Sequence, residues 1–312
     1  MKKFELQTLV FNEDDKIRTF FSNDFNFILD KSKRYSICYG KTPNDTPTYD
    51  PLGPEEIDII INDNFEFNKQ LLQINKLLNI HQENDDSLIS ISTITNVNVV
   101  VKNLYMKNVD EVSHLIKYLN SFNFNVNLIV DYSFMVSFSE IFRLKVFNAS
   151  NITFNVWDFN PDSLIETMEN CLSKDLNVSF NFNINSKNYK NFINLLEFNR
   201  IPQTIFSNIL FYRPITKKIK DEIVKKLDNS CNFTICDTKF VNNKKIKYDK
   251  LRPYQDGLFK CYINFNDGKV YSSADNQIGI DFYKIENINS YWNSEEFFEF
   301  RNNLIENKYE EN

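Results

Sequence analysis

The distribution of glycine constrains this chain more than any other feature of its sequence. No glycine occurs between Gly53 and Gly257, a gap of about two thirds of the 312 residues. Glycine is the usual residue where a backbone needs a positive φ or must approach a phosphate closely. The sequence therefore excludes glycine-rich phosphate loops and dinucleotide-binding turns from residues 54 to 256.

Composition indicates a folded protein. Hydrophobic residues make up 42% of the chain, and 30 of them are phenylalanine, more than a disordered chain carries. Asparagine, isoleucine, lysine and phenylalanine are abundant, a bias that resembles coding by an AT-rich genome. The asparagines lie within periodic apolar segments rather than in uninterrupted tracts, so we interpret them as compositional bias and not as a prion-like signal.

Net charge, apolar patterning and cysteine spacing limit the partners and the cellular location that the sequence predicts. The net charge is −6 and the pI is about 5.2, which argues against binding nucleic acid through its phosphates. The lysines at 217–226 and 244–250 are interpreted as solvated faces. The first 15 residues lack a long apolar core and no run of 18 apolar residues occurs, so we expect neither a signal peptide nor a membrane span. Five irregularly spaced cysteines indicate reduced thiols in a cytoplasm, either bacterial or that of a host for a phage or virus.

Strand and helix patterns alternate through the middle of the chain. The apolar run at 57–61 is followed by helical spacing over 67–80. Five further strand–helix pairs repeat about every 25 to 30 residues, a length typical of parallel strands with crossover helices. The predicted strands lie at 97–104, 124–131, 151–157, 176–184 and 204–212, and the helices at 109–119, 137–147, 161–172, 189–198 and 215–227.

Six such units predict an α/β fold with a partial (β/α)6 TIM-like barrel. A doubly wound sheet is the alternative that periodicity leaves open, and a concave repeat protein is a further one. We divide the chain into an N-terminal lead-in of strands and a proline-rich loop (1–54), the barrel (55–227) and a C-terminal extension (228–312). The lead-in has strand patterns at 4–11 and 35–40. The extension has a hairpin turning at 266–268 and a closing helix within 285–304, capped by Asn293 or Ser294.

Few residues suggest catalysis or metal binding. His81 and His114 have no identifiable partners, so a hydrolase that needs a histidine base is not favoured. Cys231, Cys236 and Cys261 could supply three thiolates to zinc, but their spacing is looser than usual and no fourth cysteine or histidine lies nearby, so we interpret them as buried free thiols.

Ligands of parallel β/α proteins bind at the carboxyl ends of the strands. A set of polar and aromatic residues follows the predicted strands and could line a pocket there, or could be solvated loop residues and helix caps. The set comprises Asp63, Tyr105, Asp131, Tyr132, Trp157, Asp158 and Arg213.

Two strings carry a resemblance to a known family. Residues 36–61 (SICYGKTPNDTPTYDPLGPEEIDIII) look like the entry to the first barrel strand of radical S-adenosylmethionine (radical SAM) enzymes. Residues 258–273 and 287–302 resemble the hairpin and closing helix of C-terminal extensions in that family. The likeness spans about residues 36–303 and implies the same partial barrel.

The functional motifs of the family are missing from these positions. The family places a Cys-x3-Cys-x2-Cys loop after the first strand, and its thiolates hold a [4Fe–4S] cluster. Here residues 62–70 read NDNFEFNKQ, and no cysteine occurs between Cys38 and Cys171. The glycine-rich turn after the second strand is replaced by VVVKNLYMKN at 99–108. The resemblance therefore implies no cluster, no cofactor and no catalytic residue.

The sequence thus predicts a catalytically inactive radical-SAM-like protein that binds another protein or a peptide. One alternative is an enzyme that uses Asp131, Asp158 and Arg213 on a small ligand. Another is a structural subunit of a phage or viral assembly. Membrane and nucleic-acid partners are not expected.

Overall fold

A computed structural model describes residues 10–13, 17–21, 25–30, 35–40, 53–54, 56–80, 94, 96–101, 109–132, 147–197, 201, 205–211, 215–227, 233–236, 260–272, 279–297 and 300. Near the N-terminus, four strands form an antiparallel sheet in sequential order: β1 (Val10–Glu13), β2 (Ile17–Phe21), β3 (Phe25–Asp30) and β4 (Tyr35–Gly40). The strand predicted at 35–40 is thus confirmed as β4. The sequence prediction missed β2 and β3, and most of the strand predicted at 4–11 lies outside the described residues.

The main sheet has ten strands. Their order across the sheet is β11-β10-β9-β8-β7-β6-β5-β12-β13-β14. From β5 to β11 the strands are parallel and sequential. The ten strands of this sheet are β5 (Glu56–Ile61), β6 (Asn96–Val101), β7 (Asn125–Asp131), β8 (Asn151–Val156), β9 (Val178–Ile184), β10 (Phe206–Phe211), β11 (Phe233–Cys236), β12 (Lys260–Asn264), β13 (Lys269–Tyr271) and β14 (Ile280–Asp281).

This strand order distinguishes the two predicted architectures. A doubly wound sheet reverses its strand order at a switch point, whereas a β/α barrel adds each strand beside the last. No reversal occurs between β5 and β11, so the doubly wound alternative is wrong. The partial TIM-like barrel is confirmed, with its six predicted strands as β5 to β10 and a seventh parallel strand, β11, beside them.

Helices follow the strands at the predicted places. They are α1 (Phe67–Leu78), α2 (Val109–Ser121), α3 (Pro161–Ser173), α4 (Tyr189–Glu197), α5 (Lys217–Leu227) and α6 (Ile288–Trp292). α3 begins as its sequence predicts, because Asn160 accepts hydrogen bonds from two first-turn amides and Pro161 fills the first helical position. Neighbouring helices contact one another, as do α2 and its strands β6 and β7. The helix predicted at 137–147 lies outside the described residues except at its last position, 147.

Asparagine and aspartate take the place of glycine at the helix ends. Asn79, Asn123, Asn148 and Asp175 have φ between 54° and 61°. Asn79 ends α1 in the left-handed conformation, while Asn123 and Asp175 follow α2 and α3. These residues tolerate positive φ better than other non-glycine residues. The long gap in glycine therefore does not prevent tight helix-to-strand turns.

The C-terminal extension contributes to the main sheet. β12 and β13 form the predicted hairpin, with Gly268 at φ 71° in its turn. The sequence pattern did not reveal that β12 also pairs in parallel with β5. The division at 227/228 remains a prediction, although hydrogen bonding of the sheet continues across it.

The closing region is more broken than predicted. α6 is short and begins at a capping box formed by Asn287 and Ser290. Asn293 ends that helix instead of starting one, whereas Ser294 accepts a hydrogen bond from the Phe297 amide at the start of the next turn. The single closing helix is therefore divided at residues 293–294.

No helix within the described ranges is long and apolar enough to cross a membrane.

Candidate functional site

The two faces of the main sheet differ in chemistry. In β5, Ile57, Ile59 and Ile61 are almost fully buried in the core that the helices cover. The alternate positions Glu56 and Asp58 point to the opposite face, because successive side chains of a strand alternate. We call this second side the inner face, because it corresponds to the inside of a partial barrel.

A row of asparagine amides crosses the inner face. Asp58, Asn98, Asn127 and Asn151 are register partners on β5, β6, β7 and β8. Asn127 Nδ2 donates to Asn98 Oδ1 at 2.9 Å, and Asn151 Nδ2 donates to Asn127 Oδ1 at 2.9 Å. All three asparagines are buried. We call Asn98, Asn127 and Asn151 the first amide row.

A charged cluster lies at the β5 end of the first amide row. Lys260 Nζ is 2.9 Å from Glu56 Oε1 and 2.9 Å from Asp58 Oδ2. Asn98 Nδ2 donates to Glu56 Oε1 and to Asp58 Oδ1, both at 2.6 Å. Burial raises the pKa of Asp58 to about 6, against the opposing effect of the Lys260 charge. These contacts link β12, β5 and β6 near the amino ends of β5 and β6.

The carboxylates set the direction of the row. Ionised carboxylates only accept hydrogen bonds, so the amide nitrogen of Asn98 must face them and its oxygen must face Asn127. The Asn127 nitrogen then faces Asn98, and its oxygen accepts from Asn151 and from Thr153 Oγ1 at 3.1 Å. The row is therefore a chain of donors directed toward β5.

A second amide row lies nearer the carboxyl ends of the strands. Asn181 Nδ2 donates to Asn155 Oδ1 at 3.1 Å, and Asn208 Nδ2 donates to Asn181 Oδ1 at 2.8 Å. Asp131 is the register partner of Asn155 and extends this row onto β7. All four side chains are half-buried.

A short apolar strip on β5 to β7 lies between the first amide row and Asp131 of the second amide row. Ile60, Val100 and Ile129 are register partners and are half-buried. They follow the first amide row by two positions on each strand. Ile129 precedes Asp131 by two positions. The inner face can therefore contact an apolar group between flanking amides.

The predicted strand-end residues do not converge on one site. Asp131 lies on the inner face, whereas the buried Tyr132 lies beside α3, where Thr167 is its hydrogen-bond partner. Burial raises the pKa of Tyr132, and the nearby Glu166 charge adds to this effect. Trp157 and Asp158 are exposed in the turn after β8. Tyr105 and Arg213 lie outside the described residues.

The turn after β8 is held by amides that the sequence prediction overlooked. Asn188 is buried, and its Nδ2 donates to the Trp157 carbonyl at 2.6 Å and to the Asn183 carbonyl at 2.9 Å. Asn191 Nδ2 donates to the Phe159 carbonyl at 3.0 Å. These contacts join the carboxyl-end loops of β8 and β9 and assign them a structural role.

The connection after β5 is a packed turn. It consists of residues 62–66, with half-buried Asp63 between exposed neighbours and with Phe65 buried against Phe265. The Phe67 amide at the start of α1 donates to Glu111 Oε2 at 2.6 Å. Five residues are fewer than the eight of a Cys-x3-Cys-x2-Cys motif, and none is cysteine. The residues present therefore do not fit a three-thiolate iron–sulfur cluster.

The remaining candidates are dispersed. Cys261 is fully buried and pairs in register with Ile57 on the helix-covered side. Cys236 is on β11, with six strands between β11 and β12 in the sheet order. Cys231 and His81 lie outside the described residues. The His114 ring is 6.3 Å from that of Phe67 between α2 and α1.

A sequence signal for the inner face did exist. The strands read NVNVVV, NVNLIVD, NITFNV and VSFNFNI, in which asparagine recurs at every second or fourth position. Genome composition explains how many asparagines there are but not their period of two, which is the period of one face of a strand.

No family model matches the chain, and no curated protein is similar to it. Its fold is similar to that of SuiB from Streptococcus suis. SuiB bound to S-adenosylmethionine has a TM-score of 0.56 and 10% identity, covering 92% of this chain and 88% of that chain. SuiB bound to its precursor peptide SuiA has a TM-score of 0.55 and 10% identity, covering 93% and 90%.

At 10% identity the likeness is one of fold alone. The chain therefore has a radical SAM-like fold, a partial barrel whose strands β5 to β11 are parallel.

Proposed function

We propose that this protein binds a peptide or a segment of another protein on its inner face, without iron–sulfur chemistry. The observation that carries the proposal is the second amide row, which is half-buried on the inner face. A side-chain amide offers both donors and acceptors, as a peptide group does. Neighbouring amides of one row lie on adjacent strands, about 4.8 Å apart, so a row offers several polar groups to one extended peptide.

The second amide row has hydrogen-bonding capacity beyond the row itself. An asparagine amide has two N–H donors and two acceptor lone pairs. Within the row, Asn181 uses one donor to Asn155 and one acceptor to Asn208. Its remaining donor and lone pair suit the backbone of a bound peptide. The apolar strip of Ile60, Val100 and Ile129 suits one apolar side chain of that peptide.

Two further observations support the proposal. The turn at 62–66 has neither the length nor the cysteines for a cluster, so binding without radical chemistry is the simpler role. SuiB, whose fold is similar, has been solved bound to a precursor peptide. A scaffold or partner role for this chain would retain such a surface.

A peptide selection tests the proposal. Random dodecapeptides displayed on phage are selected on the purified chain, and the affinities of the enriched peptides are measured by calorimetry. Asn181→Ala removes one inner-face amide. The matched control is Asn191→Ala, which removes another half-buried, hydrogen-bonded amide from the helix side.

We expect Asn181→Ala to raise the Kd of selected peptides about 5- to 10-fold, equivalent to one hydrogen bond of about 1 kcal/mol. Asn191→Ala should leave the Kd unchanged. Failure to enrich any peptide, or equal effects of the two substitutions, would contradict the proposal.

The enzymatic alternative still rests on Asp131, Asp158 and Arg213. Asp131 is on the inner face and Asp158 is exposed beyond β8. Asp158→Ala combined with Arg213→Ala would abolish such an activity and would leave a binding role based on the amide rows intact, because neither residue belongs to a row. A structural subunit of a phage or virus remains the other prediction, and stable co-purification with a partner would be its sign.

A further inference from the structure

Lys260 occupies an unusual position between two carboxyl groups. Its Nζ lies 2.9 Å from Asp58 Oδ2 and 2.9 Å from Glu56 Oε1. The side chains of Lys260 and Asp58 are only 15% and 10% exposed. Water therefore has limited access to the contact between the amine and the Asp58 carboxyl.

The strand register holds these groups in place. Lys260 pairs with Glu56 and Tyr262 pairs with Asp58 across the parallel strands β12 and β5. The neighbouring residues Cys261 and Tyr262 are buried. Holding two reacting groups in contact in this way replaces the entropy loss of a bimolecular encounter.

Asn98 completes the arrangement. Its Nδ2 donates at 2.6 Å to Asp58 Oδ1, the carboxyl oxygen that does not contact Lys260. If an amine adds to the Asp58 carboxyl carbon, negative charge develops on that oxygen, and a fixed amide donor stabilises it. The carboxylates of Glu56 and Asp58 fix the direction of the Asn98 amide, and its oxygen accepts from Asn127 Nδ2.

The protonation states also favour reaction. Burial raises the pKa of Asp58 to about 6, so its neutral acid is accessible near neutral pH. Condensation requires one proton to move from the Lys260 ammonium to the Asp58 carboxylate, whose Oδ2 is 2.9 Å from Nζ. The resulting neutral amine and neutral acid are the forms that react with each other.

We propose that Lys260 and Asp58 condense into an intramolecular isopeptide bond that joins β12 to β5. The amine nitrogen of Lys260 forms a bond to the Asp58 carboxyl carbon. The bond from that carbon to Oδ2 breaks, and the oxygen leaves as water. Glu56 takes a proton from the nitrogen and returns it to the departing oxygen. The ammonium and carboxylate become one amide and one water, and no oxidant or other reactant is needed.

The bond has a clear structural consequence. It closes a loop of about 200 residues between the first barrel strand and the C-terminal extension, and thereby restricts the unfolded chain. β12 would then remain attached to the edge of β5 even when other parts of the sheet open.

The test is the intact mass of the purified full-length chain. The bonded protein weighs about 18 Da less than its sequence mass, because one water is lost on forming the amide. Tryptic mapping should show no cleavage after Lys260 and a branched peptide containing both strands. Lys260→Arg keeps the positive charge but cannot form the bond, so it should have its full sequence mass.

Glu56→Gln removes the proton carrier and should leave most molecules unbonded after the incubation that converts the wild type. Circular dichroism establishes that each variant is folded. A folded wild-type chain that keeps its full sequence mass after prolonged incubation at neutral and mildly acidic pH overturns the proposal. So does a mass loss that persists in Lys260→Arg.

Discussion

Replacing Asn127 by aspartate should destabilise the fold more than replacing it by alanine. Asn127 is buried, donates to Asn98 Oδ1 at 2.9 Å and accepts from Asn151 Nδ2 at 2.9 Å. The Asn98 nitrogen is committed to the carboxylates of Glu56 and Asp58, so its oxygen needs a donor at position 127. An ionised carboxylate offers only acceptors there, although it has almost the same shape as the amide.

The expected magnitudes follow from these contacts. Asn127→Ala leaves a buried acceptor without its donor, which costs about 2 kcal/mol. Asn127→Asp instead places acceptor against acceptor and adds a buried charge near two carboxylates, so we expect a loss of about 4 kcal/mol at neutral pH.

The aspartate variant should also depend on pH. Burial and neighbouring carboxylates raise the pKa of the introduced carboxyl above its value in the unfolded chain. The folded variant therefore binds more protons than the unfolded one, and its free energy of unfolding rises as the pH falls through the raised pKa. The protonated acid can again donate to Asn98. Asn127→Ala should lack this gain.

Urea unfolding followed by circular dichroism at neutral and mildly acidic pH measures these differences. Asn125 is the control, because it is half-buried and its Nδ2 donates to Asn96 Oδ1 at 2.8 Å. Asn125→Asp should cost about 1 kcal/mol, since water can solvate the new charge. The reasoning is refuted if Asn127→Asp is at least as stable as Asn127→Ala at neutral pH, or gains nothing from acidification.

Three further outcomes are expected. Relative to wild-type chain that has not formed the Lys260–Asp58 bond, Lys260→Met leaves two partly buried carboxylates without their cation and should lower the free energy of unfolding by about 3 kcal/mol at neutral pH. The pKa of Asp58 is about 6 beside Lys260 and rises further when the lysine charge is removed. The free energy of unfolding of Lys260→Met should therefore increase as the pH falls toward 4, and a free energy that does not change with pH would contradict this prediction. Asn79→Ala should cost about 1 kcal/mol and Asn79→Gly almost nothing in thermal unfolding, because φ is 54° there; equal effects would argue against the turn. Cys171, whose pKa burial raises to about 12, should resist alkylation in the folded chain and react after urea unfolding; labelling of native Cys171 would contradict its burial.

The barrel could be predicted because its helix-covered side follows simple periodicity. The isoleucines of β5 and the valines of β6 form apolar runs of strand length, and helical spacing follows each. The Asn-Asp-Gly turn likewise identified the hairpin at Gly268. These features depend on local sequence, so they can be read one segment at a time.

The inner face could not be predicted in the same way. The contacts of Lys260 with Glu56 and Asp58 join residues about 200 positions apart, and no local pattern indicates that β12 pairs with β5. The amide rows depend on register between parallel strands, which single segments do not specify. The gap in glycine between Gly53 and Gly257 also limits the backbone less than the sequence suggests, because Asn79 and Asn123 adopt the left-handed conformation that the helix ends require.

Iron analysis of protein purified and reconstituted without oxygen tests the central claim most directly. The packed turn at 62–66 contains no cysteine and supplies no thiolate, so we expect iron per chain to stay at background and no cluster absorption to appear. A stoichiometry of about four irons per chain, the content of a [4Fe–4S] cluster, would contradict the account.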